Sequence, residues 1–440
     1  MPLTRFDVFI PGDYPEHTYV RRTFVNSRTK LPRDPEEEVT EALRQKGRII
    51  QVVGPSKSGK TIALESILSP TRLITIPGSR INSADSLWQS VIAQLKLPLH
   101  RVVETKQGGS DEREVSVNAK ANLIGAEFGG EVKHKHENSN ETGNQVAFED
   151  DLFQVAISGL LGKDMVLFID DFHTMNGEIK SDIAVQLKAA SEEGVKVCLA
   201  EVPHRADEPI SANPDLTGRV AKVLFEYWSE HDLKQIGLVG FDKLGVEIAD
   251  STLVALAAEA GGSPQLMQLL CLEAAKILGI DSEQAERRAL GMSRAQLEIV
   301  FINVVEEVER ESIFNILDSG PDERGKPRTK YPAHGLAEAD NYEITLAAIA
   351  LDPPRMAFTW DQGDDSLVAR LERIYASEDK RPRREQITRA LDQMVELATD
   401  NMPKLVILDW DRNKGLHILD PYFLFYLRWS EKYMQVRNTV

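Results

Sequence analysis

The chain has 440 residues, of which 42% are hydrophobic and 28% are charged, so it can bury large cores and is not a disordered protein. Its length exceeds what one hydrophobic core usually supports, which predicts two or three domains. The 69 acidic and 52 basic side chains give a net charge of −17, and this acidity excludes a histone-like or polybasic protein.

The two cysteines and the apolar runs indicate the compartment. Cys198 and Cys271 lie in apolar segments and have neither a disulfide framework nor zinc-site spacing. No run reaches the roughly 18–20 apolar residues that cross a bilayer, and the N-terminus lacks the layout of a signal peptide. We therefore expect a cytoplasmic protein without a membrane partner.

The first half of the chain is predicted to form an arm followed by an α/β core. Residues 1–35 combine repeated prolines with isolated aromatic residues, which indicates loops without helix or strand. Apolar bursts then alternate with helical segments, which predicts an α/β fold with a parallel sheet and helices on both faces over 36–226. The predicted strands are Arg48–Val53, Leu73–Ile76, Met165–Ile169, Val195–Leu199 and Val223–Phe225.

A polar insertion and a helical region accompany this core. Residues 102–147 are rich in Gly, Ser, Lys, Glu and Asn. His134 and His136 within them have no third ligand nearby, so a solvated loop is favoured over a metal site. Residues 227–319 are helical in pattern and predict a lid domain, with Ala295–Leu317 as one long amphipathic helix. The apolar stripe of that helix is Ile299, Ile302, Val305 and Val308.

The C-terminal region is predicted to be a winged helix. Residues 320–339, rich in Pro, Gly and charge, indicate a linker. Residues 340–440 contain three helical segments and two short apolar strands around the turn Asp411–Gly415, where Asn and Gly favour a tight hairpin. Three helices followed by a β-hairpin make a winged helix.

The strongest motif lies at the end of the first predicted strand. Gly54-Pro55-Ser56-Lys57-Ser58-Gly59-Lys60-Thr61 matches G-x-x-x-x-G-K-[ST], and a helical pattern begins at Ile62. In such a loop the backbone N–H groups surround a β-phosphate, the lysine reaches the β- and γ-oxygens, and the Thr hydroxyl binds Mg²⁺. We expect Gly54 to Ile62 to bind ATP, with Lys60 as the catalytic lysine; the alternative is a Gly-rich turn without a ligand.

A second motif ends the strand Met165–Ile169. Asp170 and Asp171 follow five apolar residues, the pattern of a Walker B motif, and burial of the strand brings these acids to the carboxyl edge of the sheet. We expect Asp170 to bind Mg²⁺ together with Thr61, and Asp171 to orient or deprotonate the attacking water.

With these motifs the chain resembles the AAA+/STAND group of P-loop ATPases, and three further stretches carry the resemblance. Tyr19-Val20-Arg21-Arg22 looks like the arm that packs on adenine, and Gly262-Ser263-Pro264 looks like the lid turn that touches nucleotide. The tail 419–429 is similar to the C-terminus of archaeal and bacterial members. Pro264 and Gln265 stand in place of the Gly-Asp-x-Arg turn with which origin-recognition-type ATPases supply a sensor-2 arginine, and this departure favours STAND over the DNA-loader branch.

The resemblance also implies residues that respond to the γ-phosphate. Arg219 precedes the last predicted strand, where the family has an arginine finger that acts in a neighbouring subunit; an ordinary surface arginine is the alternative. Glu201, His204 and Arg205 are three open candidates for sensor 1. Asp171 stands in place of the usual Glu, which predicts slow hydrolysis.

Basic residues of the predicted winged helix leave a DNA contact across 380–415 open. Acidic residues share the third helix of this region, so a solvated face is the competing interpretation. The basic residues are Lys380, Arg381, Arg383, Arg384, Arg389, Arg412 and Lys414, and the acidic ones are Asp392, Glu396 and Asp400.

Together these features predict a Mg-ATP-dependent switch ATPase that forms a homo-oligomer. The resemblance implies a separate effector protein and a role in prokaryotic antiviral defence. Two alternatives stay open: a DNA-loading or transposition-type AAA+ ATPase, and an adaptor that binds nucleotide without hydrolysing it.

Overall fold

The computed structural model describes residues 1–25, 30–99, 101–104, 145–148, 151–175, 177–202, 218–322, 327–402 and 405–440. By packing, these divide into two units. The first contains Met1–Glu38, Val53–Ile67 and Val223–Val440, and the second contains Val39–Val52 and Leu68–Lys222. Among the described residues, no helix combines the length and apolarity that crossing a membrane requires.

A five-stranded sheet, most of whose residues belong to the second unit, confirms the predicted α/β core. In spatial order its strands are Leu73–Pro77, Val166–Asp170, Lys196–Glu201, Ile49–Val53 and Val220–Leu224. The first three pair in parallel. Every residue of Ile49–Val53 is buried, as expected for a parallel strand covered on both faces.

Helices cover this sheet with apolar side chains. Trp88, Ile157, Ile183 and Leu187 pack with the strand residues in one core. The α-helices that contain them are Ala84–Gln94, Leu152–Leu160 and Gly177–Glu193; 3₁₀ turns are Pro70–Arg72, Gly78–Arg80 and Phe172–Thr174. Pro35–Leu43 precedes the sheet, and Lys60–Ile67 follows its strand Ile49–Val53.

The predicted polar insertion begins and ends in strands. Arg101–Glu104 pairs antiparallel with Gln145–Phe148. His134 and His136 lie outside the described residues.

The N-terminal arm is more regular than its sequence suggests, and the expectation of loops alone was wrong. Arg5–Val8 is a short helix with a capping box between Thr4 and Asp7, which supplies partners for the N–H groups at its start. Phe24–Val25 and Pro32–Arg33 pair antiparallel. Local capping of this kind stabilises a single turn too short to show hydrophobic periodicity.

Helices dominate the region after the sheet, and they share a core with the arm and the tail. Val8 and Phe9 from the arm pack there with Tyr422, Phe425 and Trp429 from the tail. The helices are Glu230–Lys243, Asp250–Glu259, Pro264–Ile277 and Arg294–Glu307. A short parallel pair, Val246–Ile248 with Arg288–Leu290, interrupts the pattern.

The long helix expected over Ala295–Leu317 is two helices, so that prediction was wrong. Arg294–Glu307 ends at Val308, which is extended, and Glu311–Ser319 begins after Arg310. The expected stripe is also wrong in part, because the buried side chains of the first helix are Val300, Phe301 and Val304. Ile299 and Ile302 are exposed.

The C-terminal region contains the three helices and the hairpin that its sequence indicates. The helices are Asn341–Ala350, Leu367–Ile374 and Arg384–Asn401. Leu408–Asp411 and Gly415–Ile418 form the hairpin, and Ala357–Phe358 adds a third antiparallel strand. Within the range expected to be a linker, Tyr331–Ala333 pairs with Leu336–Ala339. Helix Glu311–Ser319 contributes Ile313, Phe314 and Leu317 to the core of this region.

The tail helix Pro421–Trp429 joins two cores, and Glu431–Thr439 follows it. Phe423, Leu424 and Leu427 pack in the C-terminal core, whereas Tyr422, Phe425 and Trp429 pack in the core that the helices after the sheet share with the arm. The guanidinium of Arg428, whose side chain is only 1% exposed, donates to Glu259 of the helix Asp250–Glu259 and to Asp352. An apolar helix with a buried, paired arginine in its last turn therefore stabilises this packing.

Candidate functional site

The G-x-x-x-x-G-K-[ST] loop lies between a buried strand and a helix that begins at Lys60. Both motif glycines are required by the backbone. A Cβ on Gly54 would lie 2.6 Å from the carbonyl oxygen of Phe225, and Gly59 has a φ of +87°, a conformation that other residues rarely adopt. The loop therefore has the strand–loop–helix geometry of a P-loop.

Lys60 lies inside this loop. Its residue is 6% exposed, and its Nζ donates to the carbonyl oxygens of Gly54, at 2.9 Å, and Pro55, at 2.8 Å. The loop thus holds a positive charge against its own backbone, where an anion can bind it.

The hydroxyl and the carbonyl of Ser58 differ in their hydrogen bonding. Its residue is 1% exposed, and its Oγ has no hydrogen-bond partner among the described residues. Its carbonyl oxygen accepts from Trp228 Nε1 at 2.9 Å and from Arg22 Nη2 at 3.4 Å. The hydroxyl is a donor available to a ligand, whereas the carbonyl is held by the protein.

Arg22 is clamped between aromatic rings. Its Cζ lies 4.0 Å from the Trp228 ring centroid and 4.7 Å from that of Phe24, and its Nη1 donates to the carbonyl of Glu226. Burial lowers the pKa of Arg22 to about 10. The arm sequence includes Arg22, but no spacing in the sequence links Trp228 to the P-loop, so sequence reasoning missed this contact.

The expected adenine-contacting residues lie near the helix that follows the P-loop. Tyr19 Oη donates to Glu36 at 2.6 Å, and Tyr14 stacks on its ring. Burial and the bond to Glu36 raise the pKa of Tyr19, whereas a bond with Ser66 opposes the rise. Val20 is partly buried against the lid core.

The turn Gly262-Ser263-Pro264, expected to touch nucleotide, lies beside the P-loop. Pro264 Cγ would lie 3.8 Å from a Cβ on Gly59, and the backbone N–H of Trp228 donates to Gly262. Pro264 is the first residue of a helix whose cap, Ser263, accepts from Leu266. The structure therefore brings the expected lid residue beside the P-loop.

The C-terminal helix also reaches the P-loop, through Lys57. The Lys57 ammonium faces the Tyr422 ring, and burial lowers the pKa of Lys57 although Asp420 opposes the shift. Lys57 belongs to the motif, but no spacing in the sequence links it to Tyr422.

In the second unit, Asp170 is the last residue of the strand Val166–Asp170, and Asp171 follows it directly. Asp170 is half-buried and its Oδ1 accepts from the backbone N–H of Asp171 at 3.0 Å. Asp171 is exposed and has a φ of 51°, which Asp tolerates better than most residues. Its carbonyl accepts from Thr174 Oγ1. The turn therefore directs two adjacent carboxylates differently, one against the strand end and one toward solvent.

The remaining candidates of this unit occupy separate places. Glu201 is fully buried at the end of Lys196–Glu201, which neighbours the strand leading into the P-loop. Arg219 pairs with Glu192 at 2.9 Å, and both side chains are more than 40% exposed. His204 and Arg205 lie outside the described residues.

The donors expected for Mg²⁺ suit that ion. The Thr61 hydroxyl and the Asp170 carboxylate offer the hard oxygen atoms that Mg²⁺ prefers, and Mg²⁺ usually adds phosphate oxygens and water instead of a full protein cage.

Several basic side chains of the C-terminal region are paired with acids. Arg381 bonds Glu372, and Arg412 bonds Asp392. Arg384 lies 3.6 Å from Asp361 and 5.9 Å from the centroid of the Trp360 ring. These pairs reduce the positive charge that this face offers to a polyanion.

No family model matches the sequence, and no curated protein is similar to it. Similar solved structures include the Walker-type ATPase of Pyrococcus abyssi, at 12% identity and a TM-score of 0.48, over 92% of this chain and 96% of that one. Cdc6p from Pyrobaculum aerophilum has 14% identity and a TM-score of 0.41, with 99% of this chain and 100% of that one covered. The Thermotoga maritima RuvB Holliday junction branch migration motor has 12% identity and a TM-score of 0.37, with 87% of this chain and 90% of that one covered. At these scores the similarity carries no argument about ligand or reaction.

Proposed function

We propose that this chain is a Mg-ATP-binding ATPase of the AAA+/STAND type. The observation that carries the proposal is the interior of the P-loop, where the buried Lys60 ammonium and the unpartnered Ser58 hydroxyl are both donors. Phosphate oxygens accept from such groups, and the helix beginning at Lys60 adds its positive dipole end. Gly54 to Ile62 would hold the phosphates, and Tyr19, Val20 and Pro264 would line the nucleoside side.

In this proposal the acids at the end of the strand Val166–Asp170 bind the metal and orient the attacking water. Thr61 and Asp170 would hold Mg²⁺, which neutralises phosphate charge when bound. Asp170, fixed by its bond from Asp171 N–H, suits a ligand position. Asp171, whose side chain is exposed, would orient the attacking water.

The switch is proposed to involve the lid and the C-terminal region. Pro264 beside Gly59 and Tyr422 beside Lys57 support a loop that both regions contact. The three helices and three-stranded sheet after residue 340 support a winged helix. Oligomerisation, a separate effector and a role in antiviral defence belong to the proposal through the family resemblance.

Binding and hydrolysis measured on the whole chain test the proposal. Calorimetry with ADP and ATP, with and without Mg²⁺, should give saturable binding that EDTA weakens for ATP. Phosphate release should be slow and indifferent to double-stranded DNA. Stimulation by DNA would favour the DNA-loading alternative, binding without turnover would favour an adaptor, and absence of binding would contradict the proposal.

A further inference from the structure

We propose that Arg22 and Trp228 are positioning residues that hold the P-loop in its phosphate-binding conformation. The inference rests on the proposed function. Neither residue belongs to the P-loop, and both donate to the same atom of it, the carbonyl oxygen of Ser58.

The physical reason lies in the planarity of the peptide unit. The Ser58 carbonyl and the Gly59 N–H belong to one planar trans peptide, so they point in opposite directions. Two donors that fix the carbonyl also fix the direction of that N–H. Gly59 would otherwise rotate with little restraint, because its φ of +87° is one of many conformations open to glycine. We call these two donors, Arg22 Nη2 and Trp228 Nε1, the clamp. The clamp directs the Gly59 N–H away from Arg22 and Trp228, toward the phosphate.

The clamp is itself preorganised. Arg22 is 6% exposed, its guanidinium lies against the rings of Trp228 and Phe24, and a second bond to the Glu226 carbonyl fixes its plane. A cation between two rings retains its charge while losing water. Trp228 is held in turn by the bond from its backbone N–H to Gly262. The arm and the lid turn thus act on phosphate binding through one carbonyl.

Conservative variants separate this role from general stability. Trp228→Phe keeps a ring under Arg22 but removes the Nε1–H donor. Arg22→Lys keeps a cation over the ring but cannot reach two carbonyls with one planar group, and Arg22→Leu removes both functions.

The chain offers two control variants whose bonds do not involve Ser58. Trp429 Nε1 donates to the Glu259 carboxylate at 2.9 Å, so Trp429→Phe removes an indole bond elsewhere in the protein. Arg370 is fully buried, donates to the Leu351 carbonyl and to Asp365, and lies over the Phe358 ring, so Arg370→Lys tests a buried arginine that has a carboxylate partner as well.

The experiment measures the Kd for ADP by calorimetry and the melting temperature for all five variants and the wild type. We expect Trp228→Phe and Arg22→Lys to raise the Kd about 5- to 10-fold, and Arg22→Leu to raise it further, since a bond of this kind is worth a factor of this order. The controls should lose comparable stability and keep the wild-type Kd. Affinity that follows melting temperature in all variants, or unchanged affinity in the Arg22 and Trp228 variants, would overturn the inference. A wild-type protein that binds no ADP would instead refute the proposed function.

Discussion

The Lys57 ammonium lies 3.3 Å from the centroid of the Tyr422 ring, which joins the P-loop to the first turn of the tail helix Pro421–Trp429. Lys57 has a φ of 60°, an unfavourable backbone conformation for lysine. The ring face attracts the cation through its quadrupole. The loop therefore has a charge-dependent contact with the C-terminal region.

We predict that this contact is measurable as a coupling energy. A double-mutant cycle with Lys57→Met and Tyr422→Leu should give about 1–2 kcal/mol of coupling in urea denaturation, because the pair is partly desolvated. The matched variant Tyr422→Phe keeps the ring face, so lysine should remain favoured over methionine at position 57 in its background. Coupling below about 0.3 kcal/mol would mean that the two side chains are merely adjacent.

Lys60→Ala should abolish nucleotide binding, with a Kd for ADP raised about 100-fold or more, because it removes the charge held inside the loop. The substitution should also lower the stability of the loop, because the Gly54 and Pro55 carbonyls lose their ammonium donor. Lys57→Ala is a comparison within the same loop: the Lys57 ammonium faces Tyr422, so its loss should raise the Kd less than the loss of Lys60. Calorimetry and melting temperature distinguish the two, and equal effects on affinity would contradict the role of Lys60.

The sequence predicts the P-loop and its sheet well because both depend on local patterns. Short apolar bursts locate the five strands of the sheet within a few residues, and the motif identifies its glycines and Lys60. Trp228 and Tyr422, by contrast, reach the P-loop through long-range packing that no spacing encodes. The break at Val308 was missed for a related reason: the apolar periodicity continues across it, and tertiary packing decides where the helix stops.

Asn substitutions should separate the two carboxylates of the acid strand. Asp170→Asn should weaken the Mg²⁺-dependent part of ATP binding, and Asp171→Asn should keep binding but slow hydrolysis about 10-fold or more. Asn preserves the acceptor that Asp170 offers to the Asp171 N–H, and it tolerates the left-handed conformation of Asp171. Calorimetry with and without Mg²⁺ and a phosphate-release assay measure the two effects. Indistinguishable variants would argue against separate roles.

Asp365 should make the stability of the C-terminal region pH-dependent. Burial tends to raise the pKa of its carboxyl, but hydrogen bonds from Arg370 and Arg355 outweigh burial and hold it below the ordinary 3.8. Because the folded-state pKa is depressed, the stabilisation is complete above the ordinary pKa and is lost as the pH falls through the lower folded value. Asp365→Asn should cost about 1–3 kcal/mol at pH 7, and the gap from wild type should narrow at pH 3. Urea denaturation at both pH values checks this, and a gap that is independent of pH would contradict it.

Arg219 is proposed to act across a subunit boundary, on a γ-phosphate that its own subunit does not bind. Its pair with Glu192 is solvent-exposed, and such pairs contribute about 0–1 kcal/mol, so releasing the guanidinium costs little. Arg219→Ala should therefore leave ATP affinity nearly unchanged and reduce turnover sharply, since a trans arginine in GTPases is worth about 10³–10⁵ in rate. Glu192→Gln is the control and should keep full turnover.

Mixing variants makes the test of Arg219 specific to assembly. Arg219→Ala subunits keep an intact P-loop and Lys60→Ala subunits keep an intact arginine, so a mixture should recover part of the ATPase activity that each lacks alone. The recovery should depend on the mixing ratio, because only mixed interfaces contain both groups. Light scattering must first establish that both variants assemble like the wild type. A fully active monomer, or mixtures of normally assembled variants that recover nothing, would make Arg219 a surface residue whose guanidinium pairs with Glu192.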